Sequence, residues 1–236
     1  MIAAIAYDFD GVLVESVEVK TQAFATLFAG EGPDVVGRVV AYHRANGGMN
    51  RVTKFRHFYR EFLHRPLSEP ELEGLCQRFS QLVFDAVIAA PWVPGVPEIL
   101  ETVSRQRVAQ FVVSATPEPE LQAIVQARGI GHYFQGIFGA PESKGRHLAS
   151  ILVALRCRKQ ELVFIGDAVA DDEAAREVGI RFIARRTAEN TDLLPILADR
   201  SISDFRDFDS VLQIVQGSGR QVRTGSVTHT IPANAD

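Results

Sequence analysis

The sequence predicts an α/β protein: a Rossmann-like parallel-sheet core with a small all-helical cap domain inserted after the first strand. Three observations carry this. Residues 2–7 form a short apolar run that stops at Asp8-Phe9-Asp10-Gly11, as a buried parallel strand does when it delivers polar groups at its C-terminal end. From Gln110 onward, short apolar runs alternate with stretches of helical spacing, the pattern of parallel strands joined by right-handed helical crossovers. Between these regions, residues 35–87 carry helical periodicity and no convincing strand.

In chain order, residues 17–27 have apolar positions at helical spacing, and Gly30, Gly32 and Pro33 break the pattern. Further helices are expected around 35–42, 53–63 and 69–88, the last with Ser68 as N-cap. Phe55, Phe58, Tyr59 and Phe62, at helical spacing, read as the interior of this block. A strand over 110–113 ends at Ser114, followed by a turn and a helix over 121–127 closed by Gly129. Then come a short strand at 137–138, a helix over 148–155, a strand over 162–165 ending at Gly166-Asp167, a helix over 173–178 closed by Gly179, and a strand over 181–184. The expected division is a core of 1–15 and 90–216, a helical cap of 16–89, and a polar tail of 217–236 that is flexible or a weak hairpin around Thr224-Gly225-Ser226. The cap would then lie over the C-terminal edge of the sheet, where open α/β sheets bind ligands.

The 236 residues, 46% of them hydrophobic, suffice for a real core. A net charge of −4 argues against nucleic acid or an anionic membrane as the main partner and leaves a small anionic substrate open. Cys76 and Cys157 are far apart and form no CxxC, so neither zinc nor a disulfide framework is indicated. The N-terminal apolar run is too short for a signal peptide or a membrane span, and the default expectation is a cytoplasmic protein. Oligomeric state is not legible.

The residues that carry chemistry sit at the ends of the expected strands. Asp8 and Asp10, one residue apart, face the same side, and two acids there call for a metal cation or a shared proton. Ser114-Ala115-Thr116 offers a hydroxyl and free backbone N–H groups to an anion, although helix capping is the commoner use of such residues. Lys144, at a loop-to-helix junction, could neutralise a phosphoryl group. Asp167 adds a hard oxygen ligand of the kind magnesium takes, and Asp171-Asp172 open the following helix.

In this order the groups resemble the four motifs of the haloacid dehalogenase superfamily: DFDGVLVES, VVSAT, the lysine of ESKG, and IGDAVADDEAA, over roughly residues 1–185. The insert is similar to the helical cap of the phosphoglycolate phosphatase and β-phosphoglucomutase-like group. The resemblance implies a magnesium-dependent phosphatase. Asp8 would be nucleophile and metal ligand, and Asp10 general acid/base with its carbonyl on the metal. Ser114 and Ala115 would bind phosphate with Lys144, Asp167 would be the third metal carboxylate, and Asp171 would support the metal shell or the lysine. Ala168 and Glu15 stand where the family commonly has serine and aspartate. An acid at position 10 separates this pattern from the family's dehalogenases and phosphonatases. A phosphosugar mutase with the same nucleophile, or a silent binding protein, are the alternatives. The expected substrate is a small phosphorylated metabolite, a sugar phosphate or short hydroxy-acid phosphate, with Lys20, Asn46, Arg51 and Lys54 as candidate contacts.

Overall fold

The computed structural model describes residues 2–187, 190 and 201–206; residues 207–216 of the expected core and the 217–236 tail lie outside the described residues. Among the described residues there are strands β1 Ala4–Tyr7, β2 Ala109–Pro117, β3 Gly136–Ala140, β4 Leu162–Gly166, β5 Arg181–Arg185 and β6 Ser201–Ile202. They form one parallel sheet in the order β3-β2-β1-β4-β5-β6. Strand β1 lies between β2 and β4, every one of its residues buried, which is why its sequence is apolar without alternation. The chain leaves β1 for β2 and β3 on one side and returns to β4 on the other, so β1 sits where the order reverses and a crevice opens at the strands' C-terminal ends.

After β1, and with no strand before β2 among the described residues, come α1 Val17–Leu27, α2 Pro33–Ala45, α3 Arg51–His57 and α4 Glu69–Ala89, with short tight or wide turns between them, and then a fifth helix that leads into β2. Ser68 caps α4, accepting from the Glu71 N–H while the Glu71 carboxylate accepts from the Ser68 N–H at 3.0 Å. Phe24, Phe55, Phe58 and Phe79 fill the interior of this block, with the Phe24 and Phe79 centroids 4.5 Å apart. Arg128 ties the block to the sheet. Its guanidinium donates to the carbonyls of Val87, Ile88 and Ala90 at the end of α4 and stacks 3.7 Å over the Trp92 ring.

The remaining helices are α5 Val96–Arg105, α6 Glu118–Ala127, α7 Lys144–Leu155 and α8 Val169–Val178. Several boundaries differ from expectation for local reasons. Pro33, read as a breaker, opens α2, because its fixed φ suits a first helical position. The helix expected over 53–63 gives way after His57 to a wide turn, in which the Leu63 N–H reaches the Phe58 carbonyl and Phe62 stacks 5.6 Å from Phe58. Strand β2 does not end at Ser114 but runs through Thr116 to Pro117, so no turn separates these residues from the strand. Helix α7 starts at Lys144, four residues early, with Ser143 as N-cap, and α8 starts at Val169. Helix α5 and strand β6 were not expected. No helix of the described residues is long and apolar enough to cross a membrane.

Candidate active site

The exits of β1 to β5 at the C-terminal edge supply the groups of the site. The Asp8 N–H donates to the Ile165 carbonyl at 2.8 Å, which locks the end of β1 to β4. The Asp8 side chain, 4% exposed, accepts from its neighbour's Phe9 N–H at 2.7 Å and meets Lys144 Nζ at 2.9 Å. Lys144, the first residue of α7, also donates to Asp171 Oδ1 at 2.5 Å. The other Asp171 oxygen caps α8 by accepting from the Ala168 N–H at 3.1 Å. Asp8, Asp167 and Asp171 bring ligand oxygens within 4.8 Å of one another.

The chain makes this crowding possible with two glycines in the left-handed region. At Gly11 (φ +73°) a Cβ would lie 2.1 Å from Asp167 Oδ2, so only glycine lets the first loop pass that carboxylate. At Gly48 (φ +73°) a Cβ would lie 3.2 Å from the Ala168 and Ala170 methyls and 3.6 Å from Lys144 Nζ, so the α2–α3 loop closes directly over the site.

The two acids of the first motif have opposite electrostatics. Burial pushes Asp8 up to about 6, with Asp171 and Asp10 adding to the rise and Lys144 opposing it. Burial acts against the charge of Asp10 as well, but there Lys20, Ser16 and Thr116 outweigh it and hold the carboxyl below the usual range. Ser16 Oγ donates to Asp10 Oδ1 at 2.6 Å, Lys20 pairs with Oδ2, and Thr116 Oγ1 lies 3.2 Å from Oδ2 while accepting from Lys20 at 2.8 Å. Asp167 is raised well above the usual range, first by burial and then by Asp8 and Asp171. Asp8 and Asp171 thus share Lys144 beside the third acid, Asp167, and the lysine's own pKa rises because Asp171 and Asp8 outweigh its burial. Crowded carboxylate oxygens with too little positive charge are a donor set suited to a hard divalent cation such as magnesium, so the residues fit the group.

A cavity of about 360 Å³ joins Asp8, Asp10 and Asp167 to the helical block, while Lys144 and Asp171 stand outside its lining. Asp8, Asp10, Ser114, Ala115, Asp167, Lys20, Arg51 and Lys54 all line it, but Asn46 does not. The Asn46 amide instead turns back to donate to the Tyr42 carbonyl at 2.9 Å at the end of α2. Lys20 is engaged with Asp10 and Thr116. Arg51 is held in an ion pair with Glu120 at 2.6 Å, shared with Ser80 at 2.8 Å, across the contact of α3 with α6. Asp172 pairs with Arg176 along its own helix.

Sequence reasoning missed three supports. Thr116 and Ser16 belong to quoted motifs, but their hydroxyls had no assigned partner. Arg185, at the C-terminal end of β5, chelates Glu15 at 2.6 and 2.9 Å and donates to the Gly11 carbonyl at 2.9 Å, fixing the first loop. Its place on the ligand-binding edge of the last long strand was the available signal. The glutamate at position 15 thus has a partner for both of its oxygens.

Carboxylates, hydroxyls and a shared lysine gathered at the crevice of a parallel sheet define a site for phosphate-ester chemistry. The model of the haloacid dehalogenase-like hydrolase family matches residues 5–185, and the chain belongs to that family. It is an enzyme of the phosphatase kind. Phosphoglycolate phosphatase 1 of Pseudomonas aeruginosa is 26% identical over 185 residues, covering 76% of this chain and 68% of its own. A phosphoglycolate phosphatase of Caulobacter vibrioides is 29% identical over 187 residues, covering 75% and 76%. Among solved structures, β-phosphoglucomutase from Clostridium difficile shares the fold with a TM-score of 0.76 at 18% identity, covering 92% of this chain and 99% of its own.

Proposed function

We propose that the protein hydrolyses the phosphate monoester of a small metabolite, a phosphorylated sugar or short hydroxy acid, through a phosphoryl group carried transiently on Asp8. The observation that supports this most is the unequal pair in the first motif: Asp8 shares Lys144 with Asp171, while Asp10 is held apart by Lys20, Ser16 and Thr116. Two neighbouring carboxylates with separate partners suit two separate tasks.

Asp8 attacks phosphorus as the ester P–O bond breaks, and Asp10, which enters this step carrying the proton taken from water in the preceding turnover, gives it to the departing alkoxide and becomes the carboxylate that Lys20 stabilises. Asp10 then takes a proton from the water that attacks the phosphorylated Asp8, which releases phosphate and restores the carboxylate. Lys20 holds Asp10 in place and supplies the positive charge that keeps it ionised for the second step. Ser114, the backbone at Ala115, and Lys144 take up charge on the phosphoryl oxygens. Asp8 and Asp167, with the Asp10 carbonyl, would hold magnesium, and Asp171 serves by orienting Lys144. The ion would supply charge that offsets the repulsion between carboxylate and phosphate. Residues 16–89 act as the cap over a core of 1–15 and 90–216, and the Gly47-Gly48 loop brings that cap onto the site. We place the enzyme in the cytoplasm, which accords with its two free cysteines.

A phosphate-release screen over phosphorylated hydroxy acids and sugars tests this. Release is expected with magnesium and is expected to vanish with a chelator. No release from any compound with magnesium, or isomer formation in place of free phosphate, would contradict it.

A further inference from the structure

Two linkers join residues 16–89 to the rest of the chain, and they pair with each other. The Glu15 N–H donates to the Pro91 carbonyl at 2.9 Å and the Val93 N–H to the Leu13 carbonyl at 3.1 Å, around an antiparallel bridge of Val14 with Trp92. Beside this ribbon Arg128, the residue after α6, grips the end of α4. Glu120, in the first turn of α6, makes a second grip on the helical block. One of its oxygens pairs with Arg51 Nη2 at 2.6 Å, the other accepts from Ser80 Oγ of α4 at 2.5 Å, and Ser80 in turn accepts from Arg51 Nη1 at 2.8 Å. The Arg51 guanidinium also lies 4.6 Å from the centre of the Phe79 ring. With the Arg51 and Glu120 side chains 6% and 10% exposed, this ring of three groups is nearly sealed from water. The turn that carries Glu120 is itself fixed to the sheet, because Glu118 accepts from the Gly139 N–H of β3 at 3.1 Å.

We propose that Glu120, acting through Arg51 and Ser80, is a positioning residue for the reaction: it latches the helical block over the site, and the block opens by parting this latch while Arg128 stays engaged as the pivot. This rests on reading residues 16–89 as a cap and the site as that of a hydrolase. A helix rises about 1.5 Å per residue, so the two grips stand about 12 Å apart along α6. A rotation of about 15° about the ribbon shifts the far grip by about 3 Å, which parts its hydrogen bonds and leaves Arg128 nearly in place. Arg51 opens α3 directly after the Gly47-Gly48 loop, with Asn50 capping the helix between them. That loop closes over the site beside Lys144, so Glu120 holds it there through one intervening side chain. A buried ion pair suits a contact that is made and broken in each turnover. Desolvation offsets most of its attraction, so it fixes the register of the closed state without making that state irreversible.

The test uses the two native cysteines of the full chain, in magnesium and inorganic phosphate. Cys76 stands one turn before Ser80 on α4, where burial pushes its thiol up, with Arg51 opposing the rise and Glu120 adding to it. Cys157, between α7 and β4, belongs to the core and serves as the control. Alkylation by iodoacetamide, read by peptide mass, should be about fivefold or more faster at Cys76 in Glu120→Gln, Arg51→Met and Ser80→Ala than in the wild type, and unchanged at Cys157. Glu120→Gln and Arg51→Met alter the charge around the thiol in opposite directions, so a rise in both reports opening. In these two variants kcat should fall about tenfold or more, and by less in Ser80→Ala, which keeps the ion pair. An unchanged Cys76 rate in all three, or a rise matched at Cys157, would overturn the proposal. So would faster alkylation of Cys76 with kcat undiminished. Should the two charge variants fail to fold, Ser80→Ala decides by the same readings. Selective exposure of Cys76 in variants of a protein whose wild-type form releases no phosphate from any ester would sink the hydrolase reading and leave the latch standing.

Discussion

Asp8→Asn is expected to lower kcat for phosphate release by about 10⁴-fold or more, because the group proposed to accept the phosphoryl is then a poor nucleophile. Asparagine keeps the shape of the side chain, and its carbonyl oxygen can still accept from the Phe9 N–H. Lys144 is not stranded by the change, since Asp171 remains 2.5 Å away. The variant should therefore fold, and loss of turnover should report chemistry rather than collapse. Relief of repulsion between Asp8 and its acidic neighbours, which helps to push Asp8 up to about 6, acts in the same direction. Phosphate release and thermal unfolding measured on one preparation check both halves. A folded variant with near wild-type turnover would rule out Asp8 as the nucleophile.

Lys144→Met should have the next largest effect, and it should act on both activity and stability. The ammonium lies between Asp8 at 2.9 Å and Asp171 at 2.5 Å, and all three groups are buried. Methionine of similar length fills the space but leaves acids facing one another without a cation. Removing one partner of a buried ion pair costs about 3 kcal/mol or more, part of which the acids recover by protonating. Loss of a positioned cation at the phosphoryl oxygens should lower kcat by a further factor of about 10² to 10³. Melting curves with chelator present, alongside kcat with magnesium, separate the two contributions. A variant as stable and as active as the wild type would mean that the lysine is only a surface cation that happens to be covered.

Much of this arrangement was legible because the relevant signals are local. A strand buried on both faces must be continuously apolar, so β1 announced itself and placed Asp8 and Asp10 at its end. Ser68 and Glu71 stand three residues apart, and α4 begins where that spacing says it should. Helix α5 escaped notice although Val96, Ile99, Leu100 and Val103 recur at helical spacing and are all buried, because Pro94, Gly95 and Pro97 at its start read as a loop. Proline is in fact well suited to the first turn of a helix. Side-chain partners were the least legible part, since they depend on which helix packs against which. Asn46, proposed to face a ligand, bonds to its own helix, and Arg51 is claimed by Glu120 from α6. Lys54 and His43 are eleven residues apart in sequence and meet across the loop that joins α2 to α3. Arg185 lies 170 residues from Glu15, so nothing near either residue points to the other.

The most direct measurement on the central claim is to catch the phosphorylated carboxylate. The enzyme would be mixed with a turned-over substrate and magnesium, quenched in acid during steady-state hydrolysis, reduced with borohydride, and its peptides weighed. An acyl phosphate at Asp8 predicts that the peptide containing residue 8 carries homoserine in place of aspartate, and that this product disappears without substrate. Rapid phosphate release with an unaltered residue 8, or with reduction at another acid, would contradict the account.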